Sequence, residues 1–393
     1  MNCNNPLFSI HTAIFVTIAA CFLLIFSSCN NSTAMEETVK FEEKDIEQHI
    51  SPFDHPDEPG MLVRIYDHGN IVFDKAIGLA DLSSKKPMDM NATFPIGSVS
   101  KEFNMVSIMK LIEDGKIHLS DTVGKYVDDL PFGSTITIEQ LLDHTSGIKN
   151  YFEKEGHMPA KLDSAFTPQE LVEYFKGDTL DFKPGTAYKY GNSDYVLLAL
   201  IIEKLKNESY PTHLEKDFFS PLGMKDTYSS LDQDAKESQI SGYNKDGTDI
   251  QPAMNIHPTQ TYGVGSIIST VDDMYTWHSK LLNGKILSDS AFALAETPGK
   301  IEGGDINSEY RGFTLMTGNI GGRQFFWNAG DIAGIHTRYL YFPKEDIYIT
   351  VITNVTVSDL HDHGGNVMFK IAGELFKEES VFVIGREYIL SEL

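Results

Sequence analysis

Ser98 and Lys101 stand three residues apart in the segment Phe94-Pro95-Ile96-Gly97-Ser98-Val99-Ser100-Lys101. On a helix that spacing puts a hydroxyl and an amine on one face, a nucleophile beside its base. Tyr190-Gly191-Asn192 follows about ninety residues later. There Tyr190 can shuttle a proton and Asn192 can anchor a polar group. Together these residues describe a serine hydrolase of the Ser-x-x-Lys type, which needs neither metal nor cofactor.

Ser-x-x-Lys alone is a weak signal, because it recurs in the chain, at Ser83 to Lys86 and at Ser146 to Lys149 among others. Context separates the three. Ser83 lies in the polar run Ser83-Ser84-Lys85-Lys86-Pro87, a solvated turn, and Ser146 precedes Gly147 in a loop-like segment. Only Ser98 opens a helical pattern. Val99, Phe103, Val106, Met109 and Ile112 recur at spacings of three and four, and Gly115 ends the run. The pattern predicts an amphipathic helix that buries that stripe and turns Ser98, Lys101 and Met105 toward a cleft. The competing reading makes Ser98 a helix N-cap.

The elements around this helix define a fold class. Met61 to Ile65 and Asn70 to Ala76 read as strands joined by an Asp67-His68-Gly69 turn. Helices dominate from Ser98 to about Lys206, with loops at 147–165 and 176–190, and residues 207–262 are polar and irregular. Thr270 to Leu282 reads as another helix. Strand-like runs follow at Phe313 to Thr317, Arg323 to Trp327, Thr337 to Phe342 and Ile347 to Thr353, then a last amphipathic helix over about 359–377. Short connections between the terminal strands favour an antiparallel sheet. The expectation is an α+β fold: an antiparallel sheet flanked by helices and built from both chain ends (about 46–97 and 260–378), with a mostly helical lobe (about 98–259) inserted. Residues 379–393 read as a C-terminal tail. The active site would lie in the cleft between sheet and helices.

Composition bounds the partners. The 393 residues carry a net charge of −24, which excludes nucleic acid, whose phosphates require clustered Lys and Arg. Ile14 to Phe26 form an apolar run of signal-peptide length, too short to span a membrane, and the first charged residue is Glu36. The run ends Phe26-Ser27-Ser28-Cys29, which resembles a bacterial lipoprotein cleavage site. Residues 1–28 are therefore expected as a signal peptide, Cys29 as the lipidated residue and 29–45 as a tether. That makes the protein an exported lipoprotein of the periplasm or cell surface, held to the membrane through Cys29. Cys3 and Cys21 lie in the leader, so the mature domain has neither a disulfide nor thiol chemistry.

At larger scale the chain resembles the class C β-lactamase-like family of serine hydrolases over about 45–375. The segments that carry the resemblance are Phe94 to Lys101, Leu141-Leu142-Asp143-His144-Thr145-Ser146-Gly147, Phe182-Lys183-Pro184-Gly185-Thr186 with Tyr188, Tyr190, Asn192 and Tyr195, Pro221-Leu222-Gly223-Met224, and Ser269-Thr270 with Asp273, Met274 and Trp277. Their order and spacing are far more specific than any one of them. The resemblance implies a β-lactamase/transpeptidase-like fold and an acyl-enzyme mechanism. Ser98 attacks a carbonyl, Lys101 and Tyr190 move its proton, and Asn192 contacts substrate or Lys101. Backbone N–H groups of Ser98 and of a residue near Asp331 form the oxyanion hole. An ordinary lysine is almost wholly protonated at neutral pH, so Lys101 acts as base only where burial disfavours its ammonium; otherwise Tyr190 takes that part.

The chain departs from the family in its third motif. Trp327-Asn328-Ala329-Gly330-Asp331 occupies the stretch where the family places Lys-Thr-Gly or His-x-Gly. The resemblance sets Asn328, Gly330 and Asp331 against the substrate, but Asn328 carries no positive charge for a substrate carboxylate. This favours cleavage of an ester, or of an amide in a small molecule or peptide with a neutral or differently anchored end. The alternatives are a β-lactamase, a D-alanyl-D-alanine carboxypeptidase or D-aminopeptidase, and a non-catalytic receptor for cell-wall fragments. His361-Asp362-His363 looks metal-like, but the two histidines diverge on a helix and read as a surface helix start. His144 reads as a loop-holding residue. Trp327, Tyr188 and Tyr151 are candidates for the pocket wall, against the commoner role of core aromatics.

Overall fold

Short turns between neighbouring strands produce a meander. The computed structural model describes residues 39–154, 161–232, 237–302, 312–358, 363–383 and 386–393. Residues 1–28, expected from sequence as a signal peptide, Cys29 and His361-Asp362 lie outside them. Lys40–Leu393 forms one unit. Its main sheet contains, in chain order, β1 (Met61–Asp67), β2 (Asn70–Ile77), β3 (Met316–Ile320), β4 (Arg323–Ile332), β5 (Ile335–Phe342), β6 (Ile347–Thr353), β7 (Ser380–Val383) and β8 (Arg386–Ile389). The spatial order is β8-β7-β3-β4-β5-β6-β1-β2, and every pairing is antiparallel. β1 from the start of the unit lies beside β6 from its end, with Met61 opposite Thr353 and Asp67 opposite Ile347. The sheet is thus built from both ends of the chain, as the α+β expectation holds. Residues 379–393, read from sequence as a tail, supply two of its strands.

Helices cover both faces. α1 (Glu43–Ile50) packs with α9 (His363–Phe376) on one side. The other side receives the inserted helices: α2 (Lys101–Glu113), α3 (Ile138–Leu142), α4 (Pro168–Phe175), α5 (Asn192–Lys206), α6 (Tyr210–Leu214), α7 (Val271–Leu282) and α8 (Asp289–Glu296). Coverage of both faces explains why β1 and β6 are buried at every position instead of alternating. Side-chain alternation still sorts the neighbours. Trp327 and Phe325 meet Phe369 on the α9 side, while Tyr339 and Tyr348 stack on His278 of α7.

Three expectations from sequence are corrected here. Ser98 does not begin the α-helix; it sits in a 3-10 turn, Gly97–Ser100, that leads into α2. It also caps nothing, since its hydroxyl meets Lys101 and Tyr190 instead. Nor is α2 amphipathic in the sense of having a wet face: Lys101 through Met109 are all buried. The polar positions that imitate an exposed face make their hydrogen bonds internally. Asn104 Nδ2 donates to the Tyr195 and Gly263 carbonyls at 3.3 and 2.6 Å, and Ser107 Oγ donates to the Phe103 carbonyl at 2.6 Å. The third strand-like run is displaced as well, from Phe313–Thr317 to Met316–Ile320.

Because Ser107 spends its proton on Phe103, the His213 ring must donate to it from Nε2, at 2.8 Å. This bond ties α6 to α2. Burial pushes the His213 pKa down to about 4. A depressed histidine contributes stability above its unfolded value near 6.5 and loses it as pH falls toward the folded value. Asp143, pushed up to about 6 by burial, acts in the opposite direction over part of this range. The difference between two proteins that share Asp143 therefore isolates His213. Urea unfolding at pH 7 and pH 4 should show the wild type losing about 3 kcal/mol more than His213→Gln. Equal losses would contradict a buried neutral His213.

Candidate active site

The nucleophile turn and strand β4 touch backbone to backbone. Gly97 has φ +53, and a Cβ there would lie 2.8 Å from the Asp331 nitrogen. A Cβ on Gly330 would lie 2.0 Å from the Ile96 carbonyl oxygen and 3.0 Å from the Ser98 nitrogen. Only glycine permits this approach from either side. It brings two N–H groups together. Ser98 lies in the first turn of a helical segment, where N–H groups have no intrahelical acceptor. β4 pairs with β3 only as far as Trp327, so its last residues present a bare edge. Ala333 and Gly334, at φ +47 and +76, form a two-residue hairpin between β4 and β5. In such a hairpin Ile332 and Ile335 exchange hydrogen bonds, and the next pair, Asp331 and His336, turns its N–H groups away from the partner strand. The Asp331 N–H therefore points from the β4 edge toward Ser98.

Side chains complete the arrangement. Lys101 Nζ lies 3.0 Å from Ser98 Oγ and donates to the Val264 carbonyl at 3.1 Å. The Tyr190 hydroxyl is 2.8 Å from the same Oγ, and Lys101 Nζ sits 5.0 Å from the Tyr190 ring centre. A neutral Lys101 can hold the Val264 carbonyl with one proton while its lone pair takes the Ser98 proton. A charged Lys101 instead leaves that step to Tyr190.

Tyr190 is held by the loop His144-Thr145-Ser146-Gly147. The His144 carbonyl accepts from the Lys189 N–H at 3.1 Å, and its Nδ1 accepts from the Gly191 N–H at 3.3 Å. The His144 ring lies 4.7 Å from that of Tyr190. Ser146 Oγ donates to Asp194 Oδ1 at 2.5 Å, on the first turn of α5. Burial holds the Asp194 carboxyl well above the usual carboxylate range. His144 thus has the loop-holding geometry read from the sequence.

Ser98, Lys101, Tyr190, Asn192, Asn328 and Asp331 line one cavity of about 420 Å³. A second, of about 320 Å³, opens on the other side of Ser98 and Asp331 toward Phe152, Ile256 and Ile332. Asn192 borders both, and its amide Nδ2 donates to Asn150 Oδ1 at 3.4 Å. The Asp331 carboxylate is engaged by His336 Nδ1 at 2.5 Å and Arg338 Nη2 at 2.8 Å. Partial burial would raise its pKa, but these two partners outweigh that and hold it low. Trp327 and Tyr151 belong to the core: the former packs on Phe369, and the fully buried Tyr151 donates to the Gln260 carbonyl.

Sequence reasoning missed Glu102, which follows Lys101 and is fully buried. Its Oε1 accepts from Asn328 Nδ2 at 2.9 Å and from the Tyr339 hydroxyl at 2.7 Å. Its Oε2 accepts from Trp277 Nε1 and His278 Nε2, both at 3.0 Å. Burial alone would raise this carboxyl; the His278, Tyr339 and Asn328 contacts outweigh it and hold the group below the usual glutamate range. A signal was present, because Glu102 falls at a stripe position, three after Val99 and four before Val106. A second group of ligand-type residues, Glu208, His213 and Asp217, lies among the described residues away from the cleft. Lys216 and Lys206 form ion pairs with its two carboxylates.

Comparison with known proteins accounts for this arrangement. Residues 46–369 match the family model described as Beta-lactamase. PbpX of Bacillus subtilis (strain 168), a protein named for penicillin binding, is 31% identical over 61% of this chain and 58% of its own length. Protein flp of Staphylococcus aureus (strain MRSA252) is 25% identical over 76% of this chain and 60% of its own length. The chain thus spans about 60% of the length of these curated relatives. Among solved structures, a penicillin-binding protein homologue from Pyrococcus abyssi, described as octameric, superposes with a TM-score of 0.70 at 26% identity, covering 85% of this chain and 76% of that one. The D-amino acid amidase from Ochrobactrum anthropi SV3 shares the fold, with a TM-score of 0.71 at 22% identity over 85% of this chain and 96% of its own. The chain belongs to the beta-lactamase family.

The backbone contact at Ser98 generates a prediction. Gly330→Ala must displace the Ile96 carbonyl, so it should cost about 2 kcal/mol of stability. Gly177→Ala, where the added Cβ meets nothing within 4 Å, should change stability by under about 0.5 kcal/mol. Thermal unfolding of both variants checks this; equal melting temperatures would contradict the close approach.

Proposed function

We propose that this member of the beta-lactamase family is a serine hydrolase that cleaves an ester or amide through an acyl-enzyme on Ser98. One observation carries the reading: Ser98 Oγ lies within 3.0 Å of Lys101 Nζ and 2.8 Å of the Tyr190 hydroxyl, beside the Ser98 and Asp331 N–H groups. In the first step the Ser98 proton passes to Lys101 or Tyr190 as Oγ bonds to the substrate carbonyl carbon. The carbonyl oxygen becomes an oxyanion between the two N–H groups, which are fixed before the reaction begins. The tetrahedral species then collapses, and the same proton goes to the departing alcohol or amine. Water repeats the sequence on the ester of Ser98 and regenerates the hydroxyl. The cavities on either side of Ser98 would take the acyl and leaving groups. Membership of the family and the shared fold with an amidase support a hydrolase in general terms.

The same proposal places the enzyme outside the cytoplasm, anchored through Cys29. The apolar run Ile14 to Phe26 and the Ser27-Ser28-Cys29 junction support this.

Two measurements follow. Lys101→Met and Tyr190→Phe should each lower turnover of a p-nitrophenyl ester or a D-amino acid amide by at least about a hundredfold, with the fold retained. Near-wild-type rates in both variants would refute the proton-transfer assignment. Cells fed labelled palmitate should incorporate it into the wild type and not into Cys29→Ala; label retained in the variant would refute the anchor.

A further inference from the structure

We propose that Glu102 and Asn328 together make the cleft select acyl substrates with no free carboxylate beside the scissile bond. The inference rests on the hydrolase reading above and adds a substrate class to it. Asn328 stands on β4 at the cavity wall. Its amide is oriented by two contacts: Nδ2 donates to Glu102 Oε1 at 2.9 Å, and Oδ1 accepts from the Ala329 N–H at 2.9 Å. Asn328 therefore offers the cavity a neutral group with its NH2 turned toward a buried carboxylate.

No positive charge stands behind that amide. Glu102 is fully buried and receives four donors, a setting that favours the carboxylate. The titratable group that bonds it directly is His278, which also meets the Tyr348 hydroxyl at 2.9 Å. Whether His278 is neutral or an imidazolium, the Glu102–His278 pair carries a charge of −1 or 0, never a positive one. Arg338, the nearest guanidinium on β5, is committed to Asp331 and to the Gly330 and Thr337 carbonyls. Lys101 is the remaining basic group of the cavity, and it bonds Ser98 and the Val264 carbonyl. A substrate carboxylate that reaches Asn328 would thus face the Glu102 carboxylate one hydrogen bond behind the amide, about 5 Å away, across buried side chains. A carboxamide or an ester at the same position meets no such repulsion.

The test uses one depsipeptide in two forms, acetyl-D-alanyl-D-lactate with its free carboxylate and the corresponding lactamide. The scissile ester and acyl group are identical in both. Release of lactate or lactamide by the wild type should favour the lactamide at least tenfold in kcat/KM. In Glu102→Gln the ratio should fall toward one, mainly through a lower KM for the carboxylate form. A purely structural role for Glu102 would lower both substrates alike and leave the ratio unchanged, which would overturn the proposal. So would a wild-type ratio of one or less, a measurement that needs no variant to fold. Turnover of neither form under conditions where the protein is folded would instead reject the hydrolase reading on which the proposal stands.

Discussion

Lys101 to Met109 of helix α2 are enclosed, and that enclosure drives their polar groups to partners inside the protein. Lys101 finds Ser98 and the Val264 carbonyl, Asn104 finds two carbonyls, and Ser107 finds a carbonyl and His213. Glu102 finds four donors from α7, β4 and β5. These partners come from distant parts of the chain. The polar groups of one helix therefore fix the register between the inserted helices and the sheet, and an unpaired member would be costly.

The same enclosure produces the site. With α2 held, the turn before it presses against the β4 edge, and glycines at 97 and 330 let the backbones meet. Two N–H groups and one hydroxyl then converge without any side chain being spent on the oxyanion. Tyr190 arrives from a third direction on a loop held by His144 and Ser146. Burial and hydrogen bonding push two buried carboxyls in opposite directions: desolvation raises Asp194, while its donors hold Glu102 below the usual glutamate range.

Much of the fold was legible because it rests on local patterning. Ile347–Thr353 reads as a strand and is one, and Thr270 caps the helix that begins at Val271. The α+β class follows from strands at both ends and helices between. The proximity of Ser98 and Lys101 was legible because one turn of helix sets it. What escaped was anything decided by tertiary closure. The polar residues of α2 look like a solvent face when their partners, up to 237 positions away, are not in view. Strands β7 and β8 were missed because ten residues near the end of a chain carry little pattern until β3 offers an edge. The bonds of Asn328 to Glu102 and of Asp331 to Arg338 cross between elements and leave no spacing signature.

The claim on which the rest turns is that Ser98 is chemically distinct from the other serines of the chain. Intact mass after exposure to a fluorophosphonate measures this directly, on the protein and on Ser98→Ala side by side. A serine with Lys101 and Tyr190 on its hydroxyl and two N–H groups at its oxyanion position should take a single adduct, absent from the variant. No adduct on the folded protein, or the same adduct on Ser98→Ala, would contradict the account.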